Sequence, residues 1–501
     1  MKTPQTLRIM NYAVNGIGLG HLSRLIAVNR WMRRYTSVLG IDADILFLTS
    51  SEADALCYHN GFPAFKIPSK TIISDAHLPQ RQAALRLSRA RYRQLAKQWV
   101  WNSVGVFAPD ILVVDTFPNG SLHELGSIAD FGMKKVLISR AVREKESRKP
   151  DFYAALRMYD RIITTQEPFS PSQHLPDEVQ GRTVSVETIM LREREELRSR
   201  QEARQYLGLP ESAMCIYVSA GGGGDSEAES SFQTLAALAA DMPNIHFVCG
   251  AGALYRGREF YAPNLRWLQR FNMMELLPAF DGALSAGGYN SVYELLVCGI
   301  PTVFLAQERL FDDQHHRITA LQEKGLCTVF PAWNEHLCRE AIEKLCTQEW
   351  RESIRKNIAA FSFRNDAQSA ARYTLELSLG ENELRRADEL LESSVFFTLI
   401  REGFDERLVL RTFYLLDFEY RRHQQQRKAL LMLNLDDSEQ TPILADVPES
   451  AAYFLRECRK LSIEPLSRLQ SVLLPPNIAE ISTMTDALER LLTTNQDVVH
   501  L

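Results

Sequence analysis

Short apolar, β-branched runs alternate with helix-patterned stretches along most of this chain, and they do so in two successive series. LRIMNYAV, ADILFLTS, FPAFKIP, DILVVDTF, KKVLISR and RIITTQE make the first series; AMCIYVSA, NIHFVCGA, NLRWLQR, GALSAGG and PTVFLAQ make the second, followed by helical patterns to about residue 379. Strand and helix in strict turn require crossover connections, which build parallel βαβ units with helices on both faces of the sheet. Between the two series lies EPFSPSQHLPDEVQGR, rich in proline and polar residues, and then the charged stretch LREREELRSRQEARQYL, which reads as one helix. The fold class expected is therefore α/β, with two doubly wound Rossmann-like domains over residues 1–180 and 181–380. Beyond Gly380 strand signals fade, and residues 381–501 read as a C-terminal α-helical appendage. A chain of 501 residues is too long for one core, which agrees with this division.

A net charge of -5 with 24% charged residues gives no general attraction to nucleic acid. Eight scattered cysteines without a C-x-x-C pair read as reduced thiols of a cytoplasmic protein. No segment approaches the ~20 apolar residues that span a bilayer, and MKTPQTLRIMNY lacks the apolar core of a secretion signal.

Two glycine-rich loops carry the chemistry. The first, NGIGLGHLSR, places Gly16, Gly18 and Gly20 between a strand and a helix, where backbone N–H groups can approach an anion. A dinucleotide loop would need a third glycine two residues further on and an acidic residue closing the next strand. That strand, ADILFLTSS, instead ends in Thr49, Ser50 and Ser51, so the sequence speaks against NAD. His21 follows the last glycine at the top of the sheet, and its neutral imidazole can take a proton from a hydroxyl near pH 7; a merely packing or capping histidine is the plain alternative. Arg24, one turn on, reads either as a phosphate contact or as a solvated helix residue. Asp115, at the end of DILVVDTF, reads as a group that orients His21, as a base, or as a turn cap.

In the second series VSAGGGGDSEAE sets Gly221, Gly222, Gly223 and Gly224 after a strand, an amide nest suited to a diphosphate, with Asp225 better placed as a helix cap. Next, LSAGGYNSVYELL ends a strand at Gly287 and Gly288. Asn290 or Ser291 is expected to cap the helix that follows, and Glu294 is suited to accept two ribose hydroxyls. The same S-x-x-E is also a plain capping box. Asp312, Asp313 and Gln314 follow the next strand with groups suited to sugar hydroxyls, and the paired aspartates lack the spacing of a D-x-D metal motif. His315 and His316 read as a proton shuttle or as surface residues.

Together, GIGLGHLSR and GGYNSVYELLVCGIPTVFLAQ…DDQ resemble the GT-B nucleotide-sugar glycosyltransferases over about residues 7–375. The likeness is strongest to those similar to the bacterial peptidoglycan lipid-intermediate GlcNAc transferase and to a group carrying GGGGD and GGYN motifs. GGGGD, RFNMMELLPAFD, GGYNS…E and DDQ occur in the family's order. The resemblance implies a UDP-sugar donor with Phe271 and Asn272 at the base. Gly222, Gly223, Gly224, Gly288, Asn290 and Ser291 would lie at the diphosphate, Glu294 at the ribose, and Asp313 and Gln314 at the sugar. His21 would be the base or acceptor-positioning residue, with Gly18 and Gly20 facing the donor across a cleft.

The implied activity is metal-independent, inverting transfer of a sugar, GlcNAc being suggested, to an unidentified hydroxyl on a glycan, lipid-linked, small-molecule or protein acceptor. No cofactor is implied beyond the UDP-sugar substrate. The lipid-intermediate enzymes differ in glycine spacing and lack Ser-Arg after the histidine, so their lipid acceptor does not carry over. A UDP-sugar hydrolase is the alternative on the same fold, because G-x-G-H-x-x-R also fits GLGHLSR; a nucleotide-sugar-binding adaptor acting through the appendage is another. In the appendage, VFFTLI and TFYLLDFEY suit a small core, a protein partner or dimerisation. Between 81 and 101, Arg86, Arg89, Arg93 and Lys97 share one helical face and Ala84, Tyr92, Leu95 and Trp99 the opposite one. That pattern suits a solvated exterior, an anionic acceptor or peripheral membrane contact.

Overall fold

A computed structural model describes residues 6–14, 18–67, 89–140, 150–169, 175–221, 227–306, 314–391, 394–401, 403–414 and 417. The first series forms a seven-stranded sheet from β1 (Thr6–Ala13), β2 (Asp42–Thr49), β3 (Ala64–Lys66), β4 (Ile111–Asp115), β5 (Lys134–Arg140), β6 (Arg161–Thr165) and β7 (Thr183–Val186). Its order is β3-β2-β1-β4-β5-β6-β7. β1 pairs in parallel with β4, Tyr12 opposite Val114, so the winding reverses between these two strands. All five residues of β4 are buried, as both faces of a helix-covered parallel sheet require.

The second sheet contains β8 (Met214–Ser219), β9 (Ile245–Gly250), β10 (Leu265–Leu268), β11 (Gly282–Ala286), β12 (Thr302–Leu305) and β13 (Thr328–Phe330). Its order is β10-β9-β8-β11-β12-β13, and the winding reverses between β8 and β11. Alternate residues of β8 serve opposite cores: Cys215 and Tyr217 pack with Phe280 and Tyr293 on one face, Ile216 and Val218 with Phe232 and Phe247 on the other.

Three sequence expectations change. The strands β7 and β13 are short edge strands that the sequence pattern does not announce, and β7 carries the first sheet past residue 180. The charged helix is broken: Arg194–Glu196 is one 3-10 turn, and a separate helix begins at Arg200. Ser199 ends the break by accepting the Glu202 N–H at 3.2 Å while Glu202 returns a bond to the Ser199 N–H at 2.8 Å, a capping box that fixes the new start. In the helix Arg89–Phe107 the buried stripe is Tyr92, Ala96, Val100 and Val104. That four-residue spacing turns Leu95 and Trp99 outward, 48% and 52% exposed, so only Tyr92 of the expected apolar face lies inward among the described residues.

The chain divides into two compact units, residues 8–30 with 44–377, and residues 1–7 with 31–43 and 378–501. The first contains most of both sheets. Its helix Ala367–Leu375 packs on β6 and β7, and Asn365 ties the linker by accepting the Met190 N–H at 2.9 Å and donating to the Met190 carbonyl at 3.0 Å. In the second unit the Arg34 guanidinium is buried over Trp31, Phe396 and Phe397, 4.7, 5.4 and 5.6 Å from their ring centres, and donates to Glu406 at 2.9 Å. Gly40 there has φ 67° and lies under the Tyr414 ring, where a Cβ would come within 2.2 Å. The described part of the appendage thus has a core that includes residues 31–43 of the chain itself. No described helix is long and apolar enough to cross a membrane.

Candidate active site

Ligands of open α/β sheets bind beyond the carboxyl ends of the strands where the winding reverses. In the first sheet that place lies between β1 and β4, and His21 and Asp115 meet there. The helix Gly20–Leu39 starts just after β1 and is held to it by Asn29 and Asn11, whose buried amides exchange hydrogen bonds of 2.9 and 2.6 Å. His21 Nδ1 lies 2.5 Å from Asp115 Oδ2. Asp115, wholly buried, also accepts from Arg24 Nη1 at 2.7 and 2.8 Å and from the Thr116 hydroxyl at 2.8 Å. Burial alone would raise the Asp115 carboxyl, but Arg24 and then His21 outweigh it and hold the group below the ordinary range. Asp115 is therefore a fixed carboxylate that orients His21, not a free base. With Nδ1 engaged, Nε2 is the nitrogen left for a substrate.

The turn after β4 supports this placement. Thr116 has φ 63°, unusual for a β-branched residue, and the Phe117 N–H closes back on the Asp115 carbonyl at 2.7 Å. The same turn sets the Phe117 ring 5.5 Å from the His21 ring.

In the second sheet the reversal lies between β8, followed by Gly221, and β11, followed by Gly287 and Gly288. Neither Asn290 nor Ser291 caps the next helix: the cap is Gly288, extended at φ -65° and ψ 144°, with no side-chain bond across the end of the helix Tyr289–Val297. The first-turn amides therefore carry no side-chain cap, which suits an anion, and the S-x-x-E box does not form there. Gly287 is required by packing: a Cβ would lie 2.8 Å from Ile318 Cγ2. Gly287→Ala is expected to lower stability by about 1–3 kcal/mol, read by urea unfolding; an unchanged midpoint would contradict the close packing. Gln314 opens the next helix, buried, with Nε2 3.8 Å from where a Gly288 Cβ would sit. Its Oε1 meets no hydrogen-bond partner among the described residues.

Glu294 lies in the second turn of that helix, and burial pushes its carboxyl up to about 8. The acid is therefore neutral near pH 7 in the free protein, whereas a carboxylate that accepts two ribose hydroxyls must be ionised. If a ribose is held there, its binding releases a proton, and affinity for the nucleotide rises with pH by about fivefold between pH 7 and 8 and levels above about 8. Calorimetric titration checks this, with Glu294→Gln expected to lose the slope; a flat wild-type profile from pH 7 to 9 contradicts it.

The two reversal points face each other. The Arg24 guanidinium lies 5.2 Å from the Tyr289 ring centre, Asn290 Oδ1 would be 3.9 Å from a Cβ on Gly20, and His59 and Phe271 have ring centres 5.9 Å apart. Arg317 also spans the cleft, bound to Glu167 at 2.5 Å and to the Gly287 carbonyl at 2.9 Å, with Arg140 3.6 Å from Glu167. Arg140 and Arg317 lie 5.2 and 5.7 Å from the Tyr289 ring centre. Both readings of Arg24 made from the sequence are overturned, because the residue is 1% exposed and committed to Asp115. Sequence reasoning missed the set Tyr289, Arg140, Glu167 and Arg317; Arg140 ends β5, and Glu167 and Tyr289 follow β6 and β11 within three residues, a signal that could have found them, whereas Arg317 lies inside the helix Gln314–Glu323 and carries no such mark. Asn272 spends its side chain locally, accepting from Met274 N at 3.0 Å, so any contact it makes to a base has to come from its backbone or after rearrangement. Gly16, Gly222, Gly223, Gly224, Asp225, Asp312 and Asp313 lie outside the described residues, while Gly18 and Gly20 lie beside His21.

No protein-family model matches the chain. Among solved structures, a spinosyn rhamnosyltransferase aligns over 74% of this chain and 100% of its own, at 14% identity and a TM-score of 0.51. The same enzyme complexed with thymidine diphosphate aligns equally far, at 14% identity and a TM-score of 0.50. The chain has the GT-B glycosyltransferase fold. A curated relative from Helicobacter acinonychis (strain Sheeba), a UDP-N-acetylglucosamine–N-acetylmuramyl-(pentapeptide) pyrophosphoryl-undecaprenol N-acetylglucosamine transferase, is 30% identical over 129 residues. That match spans 24% of this chain and 35% of the relative. In GT-B terms, His21 and Asp115 stand on the N-terminal domain and the Gly288-capped helix on the C-terminal domain.

Proposed function

We propose that the protein is a glycosyltransferase that moves a sugar from a UDP-sugar to an acceptor hydroxyl with inversion. The observation that carries this reading is the His21–Asp115 pair set against an uncapped helix N-terminus across the cleft of a GT-B fold. In the reaction, His21 Nε2 takes the proton of the acceptor hydroxyl as its oxygen attacks the anomeric carbon and the bond to the diphosphate oxygen breaks. Asp115 keeps the proton on Nδ1 and stabilises the imidazolium that forms. Charge developing on the departing diphosphate is met by the amides at Tyr289, Asn290 and Ser291 and by the helix dipole, fixed groups that need no reorganisation. Glu294 holds the ribose, Gln314 the sugar, and Phe271 the base. The curated relative uses UDP-N-acetylglucosamine, which makes GlcNAc the first sugar to test.

A hydrolase built on the same residues would have His21 activate water. The two part when UDP-GlcNAc is incubated with the protein alone and then with a library of hydroxyl acceptors. Transfer predicts slow release of free sugar alone and rapid UDP release with one acceptor; rapid stoichiometric release of free sugar without any acceptor overturns transfer in favour of hydrolysis.

A further inference from the structure

Arg24 is tied to Asp115 through one nitrogen. Nη1 donates to both carboxylate oxygens, at 2.7 and 2.8 Å, and lies 3.5 Å from the Thr116 hydroxyl, whereas the buried Nε and Nη2 meet no hydrogen-bond partner among the described residues. A planar guanidinium held at one nitrogen can pivot about it, so another contact has to fix its plane. Tyr289 lies against it, with Arg24 Cζ 5.2 Å from the ring centre, within cation–π range. Tyr289 is the first residue of the helix Tyr289–Val297, and a side chain there leans back past the helix N-terminus, which here brings it to the support of His21 on the first sheet. The residue is 3% exposed, and its hydroxyl accepts the Ile189 N–H at 3.3 Å, in the segment that joins the two sheets. Tyr289 thus touches the joining segment and the support of His21 from the start of the donor helix. Arg317, bound to both Glu167 and the Gly287 carbonyl, links the same loop to the first sheet a second time.

We propose that Tyr289 is a positioning residue: its ring fixes the Arg24 guanidinium and, through Arg24 and Asp115, holds the His21 imidazole in register with the helix that receives the diphosphate. The inference rests on the proposed role of His21 as base, and deepens it. Reacting groups displaced by about 1 Å lose roughly 10²-fold in rate, so a contact that registers the base against the leaving group acts on turnover. Nucleotide affinity, which rests in the proposed function on the helix amides and Glu294, is left nearly unaltered. The Arg317 link still joins the loop to the first sheet when the ring is removed, so register is lost and not the fold.

The test is a double-mutant cycle on kcat in the full chain. Tyr289→Leu, which removes ring and hydroxyl, is made in wild type and in His21→Ala and assayed with UDP-GlcNAc and the acceptor that supports the fastest UDP release. In the wild-type background it is expected to lose about 10- to 100-fold in kcat, with UDP affinity within about threefold. In His21→Ala the same change is expected to move kcat by less than about twofold, because a residue that acts through an absent one adds nothing. Tyr289→Phe, which keeps the ring, is expected to lose less than about fivefold. Equal losses in both backgrounds, a loss carried by UDP affinity, or a loss in Tyr289→Phe as large as in Tyr289→Leu overturns the inference. If Tyr289→Leu does not fold, Tyr289→Met, whose flexible side chain fills the space without a ring, takes its place. A second measurement needs no substrate. Hydrogen exchange over residues 20–30 is expected to quicken by about threefold or more in Tyr289→Leu and to stay near wild type in Tyr289→Phe; unchanged exchange in Tyr289→Leu contradicts the holding contact. Unimpaired turnover in His21→Ala would tell against the base reading instead, so the two failures are told apart.

Discussion

A His21→Ala variant is expected to fold, to bind UDP within about twofold of wild type, and to lose about 10²–10⁴ of kcat, the usual range for a positioned general base. The reasoning is geometric. His21 stands at the carboxyl edge of the first sheet, its Nδ1 on Asp115, whereas the uncapped helix and Glu294 stand on the second sheet. If His21 is the base and the second sheet holds the donor, removing the ring removes the proton acceptor and leaves the donor's anchors untouched, so the loss should appear in kcat and not in nucleotide affinity. Retained turnover in the variant would remove His21 from the chemistry. A loss confined to UDP affinity would instead assign it to binding.

Glu294→Ala should do the reverse. If the carboxylate accepts two ribose hydroxyls, its removal costs about 10- to 100-fold in UDP affinity, since hydrogen bonds to a charged group contribute roughly 1.5–3 kcal/mol each and part is recovered by water. The variant should also lose discrimination between UDP and 2′-deoxyuridine diphosphate, which lacks one of the two hydroxyls. Wild type should prefer UDP, and the variant should bind both alike. Equal affinity for the two nucleotides in wild type would show that the ribose is held elsewhere.

Much of the fold was legible because parallel strands buried on both faces leave a strong signal: DILVVDTF and KKVLISR read as strands and are strands. The edge strands Thr183–Val186 and Thr328–Phe330 were not legible, being short and only partly buried in most positions. Within the helix Arg89–Phe107 the wrong stripe was read as apolar because Trp99 and Leu95 outweigh Ala96 in hydrophobicity, while contact with the sheet is decided by angular position. At the site, His21, Asp115, Gly288 and Glu294 were named from motif and strand-end position. What the sequence does not carry is pairing across the fold: nothing local says that Arg24 turns inward to Asp115, 91 residues away, instead of outward to water. Nor does S-x-x-E tell which residue caps the helix. An extended Gly288 leaves that end open, and the structure alone reveals it.

On the proposed function, the two reversal points, one in each sheet, form a single site with the donor's reacting carbon between them. A crystal structure of the protein with UDP-GlcNAc tests it most directly. The diphosphate is expected on the amides of Tyr289, Asn290 and Ser291, the ribose on Glu294, and the anomeric carbon turned toward His21 Nε2. A nucleotide bound away from the Tyr289–Val297 helix, or a sugar turned away from His21, would contradict it.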